Sequence, residues 1–263
     1  LSPHRTMVCD LMHFAQKIPT IPVQRKMRLE RLVVARQGCT PRPSWCALFA
    51  HAFAKVAERM PQLRRAYMSF PTPHLYEHPI SIAIVPVERR VEDETVLAFA
   101  RVFEPAKRRL AALDRYLKWF ARPAQKSMTS ARVALFISRL WRPVRLAIWW
   151  LILNVSGNRR VRSFGTFSVS VYSALGAESL HPLSCSTFVL NYGPIDEHGE
   201  VYVRIIYDHR VLDGAMVARA LAALEEELTG PSVENLLATC HSAPAPRESA
   251  IEPNDLMSPV NVP

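Results

Sequence analysis

A chain of 263 residues, 49% hydrophobic and 21% charged, can bury one large core or two small ones, and this balance excludes a disordered protein. Gly is scarce (8) against 21 prolines, so loops are stiffened more than loosened. The net charge of +10 excludes an acidic, solvating protein and suits an anionic ligand, an anionic membrane or nucleic acid.

In chain order, Arg5 to Lys17 has the apolar spacing of a helix, stopped by Ile18-Pro19. Val23 to Ala35 reads as extended strands with a turn. Ser44 to Met60 reads as a strong helix that Ser44 can cap and Pro61 ends. Ile80 to Val87 is rich in β-branched residues and reads as a strand, and Glu92 to Phe120 reads as a helical stretch interrupted near Pro105. Phe167 to Tyr172, Thr187 to Tyr192 and Val201 to Tyr207 read as three more strands, the last two joined as an antiparallel hairpin by Gly193 to Gly199. Asp213 to Leu228 has a helical stripe and stops at Thr229-Gly230-Pro231. Strands and helices without regular alternation point to an α+β architecture. Residues 1–235 are expected to form one domain, and 236–263, rich in Pro and Ser, a disordered tail.

The cysteines, Cys9, Cys39, Cys46, Cys185 and Cys240, are odd in number and form no C-x-x-C pair. A disulfide framework or zinc site is therefore not expected, and no secretory signal is read at the start; the expected compartment is reducing and cytoplasmic. Cys185 and His51 read as structural. His74 and His78 sit in a Pro-rich loop without a third ligand, so no metal is expected.

Between Asp114 and Glu178 there is no acidic residue, while arginines alternate with Trp119, Trp141, Trp149 and Trp150. Spanning a bilayer needs ~20 mostly apolar residues, and Arg139, Arg142, Pro143 and Arg145 break the run. Two readings stand: a helix packed on the core or on another subunit, or an interfacial helix that puts 133–162 on a membrane surface. No recognised motif supports nucleic-acid binding.

The stretch Ile205 to Leu224 carries the chemistry. A β-branched strand delivers Asp208, His209 and Arg210 to its end, and Asp213 then opens a helix with Gly214. An imidazole so placed has the rigid position and near-neutral pKa range of a general base. The string Asp208-His209-Arg210-Val211-Leu212-Asp213-Gly214 resembles the catalytic segment of the acyltransferase core of 2-oxoacid dehydrogenase complexes. Chloramphenicol acetyltransferase carries a related H-H-x-x-x-D-G. Gly165-Thr166-Phe167-Ser168-Val169-Ser170 resembles the family strand G-T-F-T-I-S, and Pro182 to Gly193 the loop and strand after it. The resemblance runs from about residue 5 to 230.

It implies a chloramphenicol acetyltransferase-like two-layer fold, a mixed sheet with helices packed on it, in a trimer or larger assembly with active sites between subunits. His209 would be the general base and Ser170 the oxyanion donor, with Ser173 as its rival. Asp213 would hold the loop by an ion pair with Arg5. The co-substrate would be a coenzyme A thioester, the acceptor a hydroxyl, thiol or amine; a lipoyl group would serve only if another protein supplied it, since no lipoyl segment precedes Arg5. The basic, Trp-rich stretch 119–162 looks like an insertion, and its apolar run suggests a hydrophobic acceptor or a long acyl chain. The alternative is an inactive family core kept as an oligomeric scaffold.

Overall fold

The computed structural model describes residues 1–91, 94–122 and 136–241. Its centre is a six-stranded mixed sheet in the order β1-β8-β7-β6-β4-β5. The strands are β1 (Thr20–Arg28), β4 (Ile82–Val91), β5 (Glu94–Phe103), β6 (Phe167–Val169), β7 (Phe188–Tyr192) and β8 (Glu200–Asp208); β2 (Arg65–Met68) and β3 (His74–Glu77) form a separate hairpin. Strands β4, β6 and β7 run parallel to one another, while the β4/β5, β7/β8 and β1/β8 pairs are antiparallel.

One face of the sheet is covered by helices. Phe49 and Phe53 of α3 (Trp45–Arg59), Leu113 and Phe120 of α4 (Leu110–Ala121), and Val217, Leu221 and Leu224 of α7 (Gly214–Thr229) pack against Phe167, Val169, Phe188, Leu190, Ile205 and Tyr207. Phe49 stacks on Tyr192 at 4.0 Å, and Phe53 meets Phe167 edge-on at 4.7 Å. Ser44 caps α3 by accepting from the Ala47 N–H, as its place before the apolar run predicts. Beside this core, α2 (Glu30–Gln37) and α8 (Pro231–His241) follow β1 and α7. A smaller apolar group joins α1 (Pro3–Ala15) to α5 (Arg142–Asn154) through Met7, Leu11 and Trp149, and α6 (Gly157–Phe164) contributes Phe164 to it.

Several expectations need correction. Residues 30–37 are helical, not extended: Leu32 and Ala35 are buried while the β-branched Val34 is exposed, one stripe of a helix. Residues 94–103, expected helical, are the strand β5, paired along its length with β4. Helix α8 runs to His241, so residues 236–241 do not belong to a disordered tail; 242–263 lie outside the described residues. The stretch 119–162 comprises the end of α4, all of α5 and most of α6, with 123–135 outside the described residues. Cys39 is disulfide-bonded, against the expectation of free thiols; Cys9, Cys46 and Cys185 are free. Among the described residues no helix is long and apolar enough to cross a membrane.

Candidate active site

The sheet ends at His209. The Asp208 N–H donates to the Thr187 carbonyl and the His209 N–H to the Pro19 carbonyl, which extends the sheet by one bond past β8. The chain then turns, the Val211 N–H returning to the Asp208 carbonyl at 2.9 Å. The wholly buried Asp208 carboxylate accepts from the Arg210 backbone N–H at 3.0 Å and from both arms of its guanidinium at 2.9 and 2.7 Å. Arg210 in turn lies 4.1 Å over the Tyr67 ring. Under this fork the buried Arg160 donates to the carbonyls of Tyr67, Leu153 and Cys185. Burial lowers the Arg160 pKa, opposed by the nearby Cys185 and Asp208. The turn is thus braced by the Asp208–Arg210 fork resting on Tyr67, while His209 itself stays exposed.

Four residues on, Asp213 takes the N-cap position of α7 with extended backbone, and its side chain caps nothing. It stands close to the Tyr207 hydroxyl, whose pKa rises through burial first and the Asp213 charge second. A Cβ at Gly214 would meet that hydroxyl at 3.4 Å, so the small residue leaves room for it. The Tyr207 ring lies 5.6 Å from the His209 ring, tilted by 40°, and forms its near wall.

Ser170 ends β6. Its N–H donates to the Leu190 carbonyl, and its carbonyl accepts from the Asn191 side-chain amide at 2.6 Å. Its half-buried hydroxyl makes no hydrogen bond among the described residues. The rival Ser173 differs: its side chain lies beside Tyr192 and lowers the pKa of that phenol, which burial pushes well up. The loop after Ser170 is fastened by Glu178, paired through both oxygens with the buried Arg204 at 3.0 Å each. That pairing lowers the Glu178 pKa.

Within one chain His209 and Ser170 do not meet. Phe167 pairs with Phe188, and Phe188 with Tyr207. His209 lies two residues beyond this row in one direction and Ser170 three in the other. Five residues of extended chain, roughly 17 Å, and two strand spacings of about 4.8 Å separate them. Alternation also puts Ser170 on the opposite face from the buried Phe167 and Val169. Nor is Arg5 joined to Asp213, which forms no ion pair among the described residues. Arg5 is exposed in the first turn of α1, about 15 Å along the helix from the end that leads into β1. The ion pair of α1 is instead the buried Asp10 with Arg145 of α5, bonded at 2.7 and 3.1 Å.

The remaining candidates have structural surroundings. His51 is buried, its Nε2 3.2 Å from the Arg108 carbonyl, with its pKa pushed down to about 4 chiefly by burial. Cys185 is buried and its pKa is raised to about 12, again mainly by burial, the reverse of an activated thiolate. His78 is buried with Nδ1 2.7 Å from the Ile80 carbonyl, and the exposed His74 sits at 2.7 Å from the Thr72 carbonyl. Sequence reasoning missed Tyr207, Asn191 and the Tyr67 shelf under Arg210. Only the position of Tyr207, two residues before the histidine on the same side of a strand, gave a readable signal.

The sequence matches no family model and no curated protein. Solved structures do match. A probable dihydrolipoamide acetyltransferase from Listeria monocytogenes superposes with a TM-score of 0.62 at 16% identity, over 91% of this chain and 94% of that one. The dihydrolipoamide acetyltransferase of Azotobacter vinelandii gives 0.63 at 14% identity, over 88% and 90%. The chain has the fold of the dihydrolipoamide acetyltransferase core. A third structure, the cubic core of a pyruvate dehydrogenase multienzyme complex, gives 0.58 at 14% identity over 86% and 88%. This acetyltransferase-core fold is the α+β, chloramphenicol acetyltransferase-like arrangement expected from the string at His209.

Proposed function

We propose that the chain is an acyltransferase that moves an acyl group from a coenzyme A thioester to an acceptor hydroxyl, thiol or amine. The observation that carries the reading is an exposed imidazole on an over-braced turn, at a strand end of an acetyltransferase-core fold. His209 takes the acceptor proton as the acceptor attacks the thioester carbonyl. The oxyanion of the tetrahedral adduct accepts a hydrogen bond from the Ser170 hydroxyl. Collapse expels the coenzyme A thiolate, which recovers the proton from His209. No covalent enzyme intermediate forms. A lipoyl thiol presented by another protein is one such acceptor.

The His209 and Ser170 of one site come from different copies of the chain, in a trimer or a larger assembly. Their separation within one protomer supports this, and so does the face around Ser170, where Leu97, Phe99, Tyr172 and Tyr202 are exposed. The Azotobacter enzyme supports the roles: a serine, a histidine and an asparagine were investigated for their part in its catalytic mechanism. The last two stand four residues apart, the spacing of His209 and Asp213. The cubic pyruvate dehydrogenase core supports an assembly.

The test is thioester turnover read as free-thiol release against a panel of acceptors. His209→Ala is expected to lower kcat/KM by about 10²–10⁴ with an unchanged circular dichroism spectrum. Co-expressed His209→Ala and Ser170→Ala chains, each inactive alone, are expected to restore about a quarter of the wild-type sites, since each site needs one intact residue from each of two chains. Wild-type protein silent with every thioester and acceptor would leave the scaffold reading in place.

A further inference from the structure

Helix α5 has one face accounted for and one bare. Its inner side is fixed: Trp149 packs against Met7, Leu153 against Ala15 and Cys185, and Arg145 grips Asp10. At its C-terminal end, Asn154 accepts from the Ser69 hydroxyl at 2.5 Å, and the Leu153 carbonyl accepts from Arg160, which also donates to the Tyr67 carbonyl. The helix is therefore rigidly seated. Its outer side is an apolar stripe of Val144, Leu151 and Val155, all exposed and spaced by seven and four residues, which is one helical face. Trp150 flanks the stripe with its ring 6.0 Å from that of the exposed Phe70, and Trp141, 76% exposed, stands at its N-terminal end.

Charge surrounds the stripe with one sign. Arg139 and Arg142 lie at one end and Arg159 and Arg162 beyond the other; all four are exposed and none forms an ion pair among the described residues. A cleft of about 420 Å³ at the first end is lined by Arg139, Arg142 and Arg145 with His13, and its one carboxylate, Asp10, is already held by Arg145. No Asp or Glu occurs between Asp114 and Glu178 to offset these charges.

We infer that this face seats the protein on the surface of an anionic phospholipid bilayer, the stripe and tryptophans entering the interfacial region and the arginines meeting lipid phosphates. An amphipathic helix lying in the interface needs this arrangement: an apolar strip, aromatic residues at its edge and cations at headgroup level. A protein partner would equally welcome the stripe. The unpaired arginines at both ends and the basic cleft favour a surface that is uniformly negative.

The inference is independent of acyl transfer. It is tested by flotation of the full chain with vesicles of phosphatidylcholine alone or mixed with phosphatidylglycerol. The expected result is binding to the mixed vesicles only, released as salt is raised from 0.1 to 0.5 M because surface charges are then screened. Leu151→Glu is expected to cut the bound fraction about tenfold, as loss of one interfacial leucine implies. The double variant R139Q/R142Q is expected to weaken binding while leaving circular dichroism and oligomer size unchanged, and it carries the test should Leu151→Glu fail to fold. Absence of binding to mixed vesicles overturns the inference. So does a change of oligomer size in Leu151→Glu, which would give the face to a second copy, and so does vesicle binding that both variants leave intact.

Discussion

Two serines three positions apart compete for one role, and their hydroxyls differ in what they already do. That of Ser173 lies beside the buried Tyr192, whereas that of Ser170 has no partner among the described residues and its backbone is held by Leu190 and Asn191. A group that stabilises a developing oxyanion must be fixed in place yet have an uncommitted donor, and Ser170 meets both demands. Ser170→Ala is expected to lower kcat by about 10²–10³ with KM almost unchanged. Ser173→Ala is expected to spare kcat and instead to cost about 1–3 kcal/mol of stability, because it removes the hydroxyl beside a buried phenol. Kinetics and denaturant unfolding of the two variants check both statements; a larger kcat loss in Ser173→Ala would reverse the assignment.

Helix α3 carries a buried histidine that makes stability respond to acid. His51 on its buried face has a pKa near 4 when folded, against 6.5 as the ordinary value. The unfolded chain therefore binds more protons between those values, and stability rises with pH through the window and falls as pH drops from 6.5 toward 4. The loss by pH 4 is expected to reach up to about 3 kcal/mol, and His51→Gln is expected to flatten that slope in urea unfolding between pH 4 and 7. The same element shows what made parts of the fold legible. Helix α3 opens at a capping serine and is apolar through its buried middle but for His51, α7 carries an apolar stripe, and β7 and β8 a hairpin loop bounded by glycines, so local chemistry and tertiary role agree. In β5 they disagree. Val96, Ala100 and Val102 face the core while Leu97 and Phe99 lie exposed, so burial alternates but apolarity does not, and Ala-rich residues mimic a helix. At the site, His209 and Asp213 were legible because one short segment holds both. The Asp208–Arg210–Tyr67 stack, the Asn191 support and the Arg160 bond to the Tyr67 carbonyl depend on residues far apart in sequence, which no spacing records.

At the scale of the whole molecule, the sheet acts as a ruler. Strands β6 to β8 hold the imidazole at one end and the serine hydroxyl at the other, so under the proposed sharing between copies each chain would contribute to two sites and complete neither. Inheritance should register this geometry. A chain bearing both His209→Ala and Ser170→Ala, expressed in equal amount with wild type, is expected to leave roughly a quarter of the sites working rather than half, measured as thiol release per chain. One faulty copy silences its healthy neighbours at both of its ends. A missense allele of that kind would therefore be dominant, while simple absence of one gene copy would cost only the protein it failed to make.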